Sequence, residues 1–200
     1  MTATQAALSE PLAIGVYAAK LAGGLKGKNI GILGAGPIGL RVLVAAKAEG
    51  VGSVYMTDRI APRLELAKEL GANQTANIGE SDPVAPVSAR LDLVFECCGQ
   101  QEAIDQAIEM LKPGGKLLIV GIPEVDRISF SIDLLRRKEI AIQNVRRQNH
   151  CTQKALDGIA EKALVVDAFA THRYKFDDTK AAFDLVANYQ DGVVKAMIDF

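Results

Sequence analysis

A glycine-rich turn between an apolar run and a helical pattern constrains this chain more than any other feature. The turn spans Gly34 to Gly39, follows the apolar run at residues 30–33, and opens a helix that ends near Gly50. The next apolar run closes with Asp58, nineteen residues beyond Gly39. A strand, turn, helix, strand and acid in this order form a unit that binds a dinucleotide, with the diphosphate at the turn and a ribose on the carboxylate.

Each residue of the turn has its own predicted role. Gly34 permits the tight turn, Gly36 lets the backbone approach the diphosphate, and Gly39 lets the helix pack closely on the strand. Pro37 suits a first helical turn because it has no N–H to leave unpaired. The N–H groups that follow, beginning at Ile38, face the phosphates at the positive end of the helix dipole. The alternative is a glycine-rich turn with no ligand.

Asp58 predicts which dinucleotide binds. A carboxylate at this position accepts hydrogen bonds from the ribose hydroxyls and repels a 2′-phosphate, which favours NAD over NADP. Arg59 follows immediately and weakens this preference, since an arginine here can bind a 2′-phosphate. The alternative for Asp58 is a carboxylate that caps a helix or lies in a loop.

Apolar runs and helical patterns alternate along most of the chain, which predicts an α/β fold. Several of the runs are nearly continuous, as in a parallel sheet covered on both faces by helices. We therefore predict a doubly wound, six-stranded parallel sheet of the Rossmann type with right-handed crossovers. The predicted strands are 29–33, 53–57, 74–78, 91–95, 116–120 and 140–145. The predicted helices are 10–22, 37–48, 62–70, 101–111, 152–162 and 179–189, with extended pieces at 169–176 and 193–200.

Composition argues against several other classes of protein. The net charge is −1 and the chain has no Trp, which gives little support for nucleic-acid binding. No apolar run is long enough to span a bilayer, and the N-terminus lacks the charged start of a signal peptide. Three cysteines do not make a disulfide framework, so we expect a reducing, cytoplasmic location.

A longer series of motifs runs in order along nearly the whole chain: Glu10-Pro11-Leu12, Gly34–Gly39, Asp58, Arg63, Glu96-Cys97-Cys98-Gly99, residues 111–115, Val120-Gly121, Val145-Arg146 and Thr171-His172-Arg173. This series resembles the medium-chain dehydrogenase family, and within it the zinc-dependent polyol branch of sorbitol-like enzymes. The resemblance implies reversible hydride transfer between NAD and a secondary alcohol, a polyol or sugar alcohol, with zinc polarising the alcohol oxygen.

The chain departs from the family pattern in its metal ligands. Family members carry a zinc-binding domain mostly ahead of this region, and neither its catalytic Cys and His ligands nor a four-cysteine structural lobe is found here. We therefore expect a fragment that does not turn over substrate alone. The expected divisions are a connecting helix at 1–24, a dinucleotide-binding domain at 25–150, and a C-terminal remnant of the catalytic domain at 151–200.

The resemblance implies two catalytic residues. Glu10 resembles the family's active-site glutamate, which lies near the catalytic zinc or ligates it. The alternative is a solvated charge at the start of the first helix. Arg146 resembles an arginine on the cofactor and substrate side, although Arg147 stands where sorbitol dehydrogenases often have Tyr. Two exposed loop arginines are the alternative here.

The resemblance also implies further cofactor contacts. Arg63 would lie over the adenine edge, or else be a surface arginine at a helix start. A second group would hold the nicotinamide or approach the phosphates, and for most of its members an ordinary strand residue is the alternative. This group comprises Val120, Gly121, Ile122, Asn144 and Lys195.

Other features have plainer interpretations. Adjacent Cys97 and Cys98 are expected to pack as small apolar residues rather than bind metal. The strand at 140–145 would lie at a sheet edge, and we expect a homodimer through residues near 139–146. Two other functions remain open: a non-catalytic NAD-binding module, and a zinc-free reductase, against which Glu10 argues.

Overall fold

The larger of two sheets in this computed structural model, which describes all 200 residues, is six-stranded and wholly parallel. Its strand order is β3-β2-β1-β4-β5-β6, which confirms the predicted fold class. The strands are β1 Asn29–Leu33, β2 Ser53–Asp58, β3 Gln74–Asn77, β4 Leu91–Glu96, β5 Leu111–Ile119 and β6 Ala141–Asn144, with β7 His172–Lys175 and β8 Ala196–Asp199 outside this sheet. The helices are α1 Ala3–Ala22, α2 Pro37–Ala48, α3 Ala61–Glu69, α4 Gln101–Met110, α5 Ile132–Lys138, α6 Thr152–Ala160 and α7 Thr179–Ala187.

Local signals account for the first strand–helix–strand unit. Strand β1 and helix α2 have their predicted bounds, because a buried apolar run leads into a helix with proline in its first turn. Helix α3 likewise has Pro62 in its first turn. Gly71 follows its end at a φ of +98°, a conformation that favours glycine.

Helix α1 corrects the prediction, because it begins at Ala3 rather than at residue 10. Thr2 and Gln5 form a reciprocal capping box, in which each side chain accepts the other residue's backbone N–H. Pro11 therefore lies inside the helix rather than in its first turn. Glu10 consequently lies two turns into the helix, away from the dipole of its N-terminus.

Strand β5 and helix α5 also differ from expectation. Pairing with β4 begins at Leu111 rather than at residue 116, and a register shift between Leu91 and Leu93 accommodates residues 112–115 before pairing resumes at Lys116. Helix α5 was not predicted, since its short pattern offers little periodicity to detect. It packs on the sheet through Leu135, which is buried.

Helices cover both faces of the sheet and give the molecule two apolar cores. The larger core joins one face to helices α1, α2, α3 and α6, and the smaller joins the opposite face to α4 and α5. No helix combines the length and the apolar character that a bilayer-spanning segment needs.

The C-terminal segment forms a second, two-stranded parallel sheet. Strand β7 pairs with β8 in parallel, and helix α7 makes the crossover between them. Both strands fall within the extended pieces predicted at 169–176 and 193–200. At the end of the second piece Phe200 is fully exposed, while Val194 near its start is buried.

Candidate functional site

A cleft of about 430 Å³ opens at the carboxyl ends of strands β1, β2 and β4. Parallel α/β sheets bind their ligands at this end of the strands, where the order of the strands reverses. The reversal occurs at β1, since β2 lies on one side of it and β4 on the other. The first turn of α2 forms one wall, and residues of α3 and α4 form others.

The glycine-rich turn has the geometry that its sequence predicts. Gly34 has a φ of +105°, which favours glycine, and its N–H donates to the Thr57 carbonyl at 2.8 Å. A Cβ on Gly39 would overlap the Gly34 carbonyl oxygen, so only glycine permits this contact between helix and strand. By contrast, a Cβ on Gly36 would meet nothing nearer than 3.8 Å, because this residue faces the open cleft.

Gly34, Gly36 and Pro37 line the cleft directly, whereas Ile38 is half-buried and packs against the larger core. Helix α2 has no side chain capping its N-terminus. The N–H groups of its first turn therefore remain available to an anion in the cleft.

Asp58 ends strand β2 and connects it to the glycine-rich turn. Its Oδ2 accepts the backbone N–H of Ala35 at 2.6 Å, and its Oδ1 accepts that of Ile60 at 2.9 Å. The carboxylate is half-buried and lines the cleft. Each oxygen keeps a further lone pair, so the group can still accept ligand hydroxyls.

Arg63 is buried, which excludes the surface alternative, and is committed to a backbone contact. Its Nε donates to the Val193 carbonyl at 3.0 Å, and its Nη2 donates to the same oxygen. Burial lowers the pKa of its guanidinium, while Asp58 opposes that shift. Arg63 lines the cleft, and its Cζ lies 5.5 Å from the centroid of the Tyr189 ring.

The floor of the cleft is formed where β4 ends. Glu96 is fully buried, and its Oε1 accepts the N–H groups of Cys98, at 2.7 Å, and of Gly99, while Oε2 has no hydrogen-bond partner. Burial, helped by Glu96, raises the pKa of the Cys98 thiol to about 12 and that of Cys97 well above its usual range. Both thiols therefore stay protonated near neutral pH.

The predicted residues after β5 and β6 lie outside the cleft lining. The N–H groups of Val120 and Gly121 donate to the Glu96 carbonyl, which places both next to the floor. A Cβ on Gly121 would lie 2.3 Å from the Gly99 backbone nitrogen and 2.6 Å from Glu96 Oε2, so this glycine makes room for both. Ile122, Asn144 and Arg146 are exposed, and none of the three lines the cleft.

Glu10 and Lys195 also lie outside the cleft lining, and both are exposed. The charged neighbour of Glu10 is Arg41, a fully buried residue whose guanidinium lies 4.7 Å above the Phe169 ring. No described contact joins Glu10 to Arg146. The proposed catalytic and nicotinamide roles of these residues therefore remain predictions.

The residues of this chain do not fit a zinc site. No group of three or more His, Cys, Asp or Glu side chains converges on one point. Zinc takes three or four such ligands, and Glu10 alone offers one carboxylate. The protonated thiols of Cys97 and Cys98 are also poor ligands, since zinc binds the thiolate.

Several residues that line the cleft belong to no motif in the sequence. These residues are Gln100, which precedes α4, and Glu102, Ala103 and Gln106 within it, beside the strand that neighbours β1. Their position after β4 could have suggested them, because this strand end adjoins the point where strand order reverses. Tyr189 reaches the cleft from the C-terminal segment, where no local pattern marks it.

Comparisons with known proteins give a consistent result. Residues 37–161 match the family model described as zinc-binding dehydrogenase. Sorbitol dehydrogenase of Bacillus subtilis (strain 168) is 31% identical over 97% of this chain and 56% of its own length. D-xylulose reductase of Saccharomyces cerevisiae is 31% identical over 98% of this chain and 57% of its own length.

A solved structure from Sinorhizobium meliloti 1021, bound to NADP, has the same fold. It superposes with a TM-score of 0.88 at 28% identity, over 96% of this chain and 58% of its own. The chain spans a little over half the length of the curated relatives it matches.

Proposed function

Because the chain belongs to the zinc-binding dehydrogenase family, we propose that its cleft binds NAD and supplies the cofactor half of a polyol dehydrogenase. The reaction is hydride transfer between NAD and a secondary alcohol, in which the bound cofactor supplies the hydride chemistry. The family consists of oxidoreductases, and its sorbitol and xylulose members act on small polyols or their ketoses.

One observation carries the proposal: the Asp58 carboxylate accepts the N–H of Ala35, inside the glycine-rich turn. This bond holds the acid of β2 beside the N-terminus of α2. The chain thereby presents an anion site and a hydroxyl acceptor in one cleft, the pair of groups that a dinucleotide requires.

Different residues would bind different parts of the cofactor. The first-turn N–H groups of α2 would hold the diphosphate, with Gly36 leaving the space for its approach. Asp58 would accept the adenosine ribose hydroxyls and disfavour a 2′-phosphate, which is our reason to propose NAD as the preferred cofactor.

Two features of the whole enzyme also belong to this proposal. We infer a homodimer through β6, because this edge strand pairs on one side only and exposes Ile142. We infer a cytoplasmic location, because the three cysteines are free thiols. Since the chain offers no zinc donor set, we expect little or no alcohol turnover from these 200 residues.

Fluorescence titration with NADH tests the proposal. We expect saturable binding to the folded chain and about a tenfold loss of affinity in Asp58→Asn, since hydrogen bonds to a charged acceptor are lost. Asp126→Asn is the matched control, because this exposed carboxylate undergoes the same charge change outside the cleft lining. A folded chain that gives no saturable signal would refute the proposal.

A further inference from the structure

An aromatic side chain from the C-terminal segment lines the cleft beside the two arginines that follow Asp58. Tyr189 follows helix α7, lines the cleft, and remains 55% exposed. Its backbone has a φ of 53°, and Asp191 and Gly192 nearby also have positive φ values. A bulky residue in this conformation is strained and persists only where its surroundings fix it.

The surroundings that fix this turn come from helix α3. The Val193 carbonyl accepts two N–H groups of Arg63, and a Cβ on Gly192 would lie 2.7 Å from the Cβ of Pro62. The turn at 189–193 is therefore held against the first turn of α3. This packing keeps the Tyr189 ring beside the segment that follows Asp58.

Two arginines lie over the Tyr189 ring, and they differ in whether their N–H donors are already in use. The Cζ atoms of Arg59 and Arg63 lie 5.3 Å and 5.5 Å from the ring centroid. Arg63 already donates to Val193. Arg59 is exposed and forms no ion pair within the chain.

A cation–π contact attracts a guanidinium to a ring without giving its N–H groups an acceptor atom. The contact with Tyr189 thus holds Arg59 near the ring while its donors stay available to a ligand. Asp58, one residue earlier, is the acid that would take the ribose hydroxyls, and an arginine close to that acid accommodates a 2′-phosphate. The two N–H groups that Asp58 accepts partly offset its negative charge.

We propose that Tyr189 is a specificity-determining residue, which holds Arg59 as a phosphate-binding group beside Asp58. The cleft then accepts NADP as a second cofactor while Asp58 keeps NAD preferred. This inference rests on the proposed function, because it concerns the adenosine end of the same cleft.

Calorimetric titration of the full chain with two probes tests this role. The probes are adenosine 5′-monophosphate and adenosine 2′,5′-bisphosphate, and the ratio of their affinities is the quantity of interest. In Tyr189→Leu we expect the affinity for the bisphosphate to fall about two- to fivefold relative to the monophosphate, the range of an exposed cation–π contact. Tyr189→Phe keeps the ring and is expected to leave the ratio within about twofold.

Arg59→Gln removes the proposed phosphate-binding group and tests whether Tyr189 acts through it. We expect it to lower the relative affinity for the bisphosphate about tenfold, and the further change Tyr189→Leu to have no effect in that background. Tyr, Leu and Phe all lack a branch at Cβ, so the strain at positive φ is similar in each variant. A merely structural role of Tyr189 would weaken both probes together.

The possible outcomes separate the two proposals. An unchanged ratio in Tyr189→Leu, equal losses for both probes, or a selective loss that persists in the Arg59→Gln background would each overturn the role of Tyr189. A folded chain that binds neither probe would instead contradict the proposed function.

Discussion

Arg41 is a buried cation that we expect to weaken the fold, and Arg41→Met tests this expectation. Its side chain is fully buried, and its Nη1 donates to the Pro37 carbonyl, while Nε and Nη2 have no hydrogen-bond partner. The Phe169 ring below the guanidinium supplies an attractive contact at 4.7 Å. Methionine has a similar volume on a shorter side chain, no charge, and a sulfur that also packs well on aromatic rings.

The size of the stability change expected for Arg41→Met follows from opposing effects at this residue. Burial lowers the pKa of Arg41 to about 10, against the opposing effect of Glu10, so the group stays charged at pH 7. A shift of this size corresponds to about 3 kcal/mol by which the fold disfavours the cation. Loss of the buried cation–π contact offsets about 1–2 kcal/mol of this gain, and the contact of the methionine sulfur with the ring restores part of the loss.

We therefore expect Arg41→Met to raise the free energy of unfolding by about 1–3 kcal/mol, in line with other replacements of buried charges. For a chain of this size each kcal/mol moves Tm by about 2–4 °C. Urea and thermal unfolding followed by circular dichroism measure both quantities. Arg127→Met is the control, since this exposed arginine undergoes the same change in solvent.

The reasoning fails if Arg41→Met is less stable than the parent chain by more than about 1 kcal/mol. Such a loss would mean that Glu10 and Arg41 form a strong ion pair. Glu10→Gln separates the two cases, because a strong pair would make the effects of Glu10→Gln and Arg41→Met non-additive.

Three further perturbations test other parts of the structure. Gly39→Ala is expected to lower the free energy of unfolding by about 1–3 kcal/mol and to weaken NADH binding, because its Cβ would overlap the Gly34 carbonyl oxygen. Gly36→Ala should weaken NADH binding without changing stability, so equal unfolding curves for the two variants would contradict this prediction. Ile142→Lys should make the chain monomeric in sedimentation velocity while Ile132→Lys on α5 does not, and an unchanged dimer would exclude the β6 interface. Iodoacetamide labelling of Cys98 in a Cys151→Ser chain should be slow at pH 8 and speed up only towards pH 12, because the folded thiol is protonated below its raised pKa. A labelling rate with its midpoint near pH 9 would show that the surroundings of Cys98 do not raise this pKa.

Local signals predicted the first half of the fold because short-range physics decides it. A buried apolar run, a proline in the first helical turn and a glycine after the last one give β1, α2 and α3 nearly their observed bounds. The predicted start of α1 was wrong because proline is typical of a first helical turn, whereas the capping box at Thr2 starts this helix at Ala3. The proline is tolerated two turns into the helix, where packing rather than propensity decides.

The site was predictable only where it is local in sequence. The glycine turn and Asp58 belong to one strand–helix–strand unit, so their register implies their proximity. The partner of Arg63 lies 130 residues away, and nothing near either residue indicates the contact. Tyr189 is hidden for the same reason, since a turn after α7 reaches the cleft only when the C-terminal segment docks on α3.

Gly121 is fixed by its neighbours from two sides. A Cβ at this position would lie 2.3 Å from the backbone nitrogen of Gly99 and 2.6 Å from Oε2 of the buried Glu96. A shorter side chain at 96 would remove the second of these clashes and leave the first, which is with the backbone. No exchange at 96 alone therefore admits a larger residue at 121, so glycine at 121 should persist among relatives in which residue 96 varies.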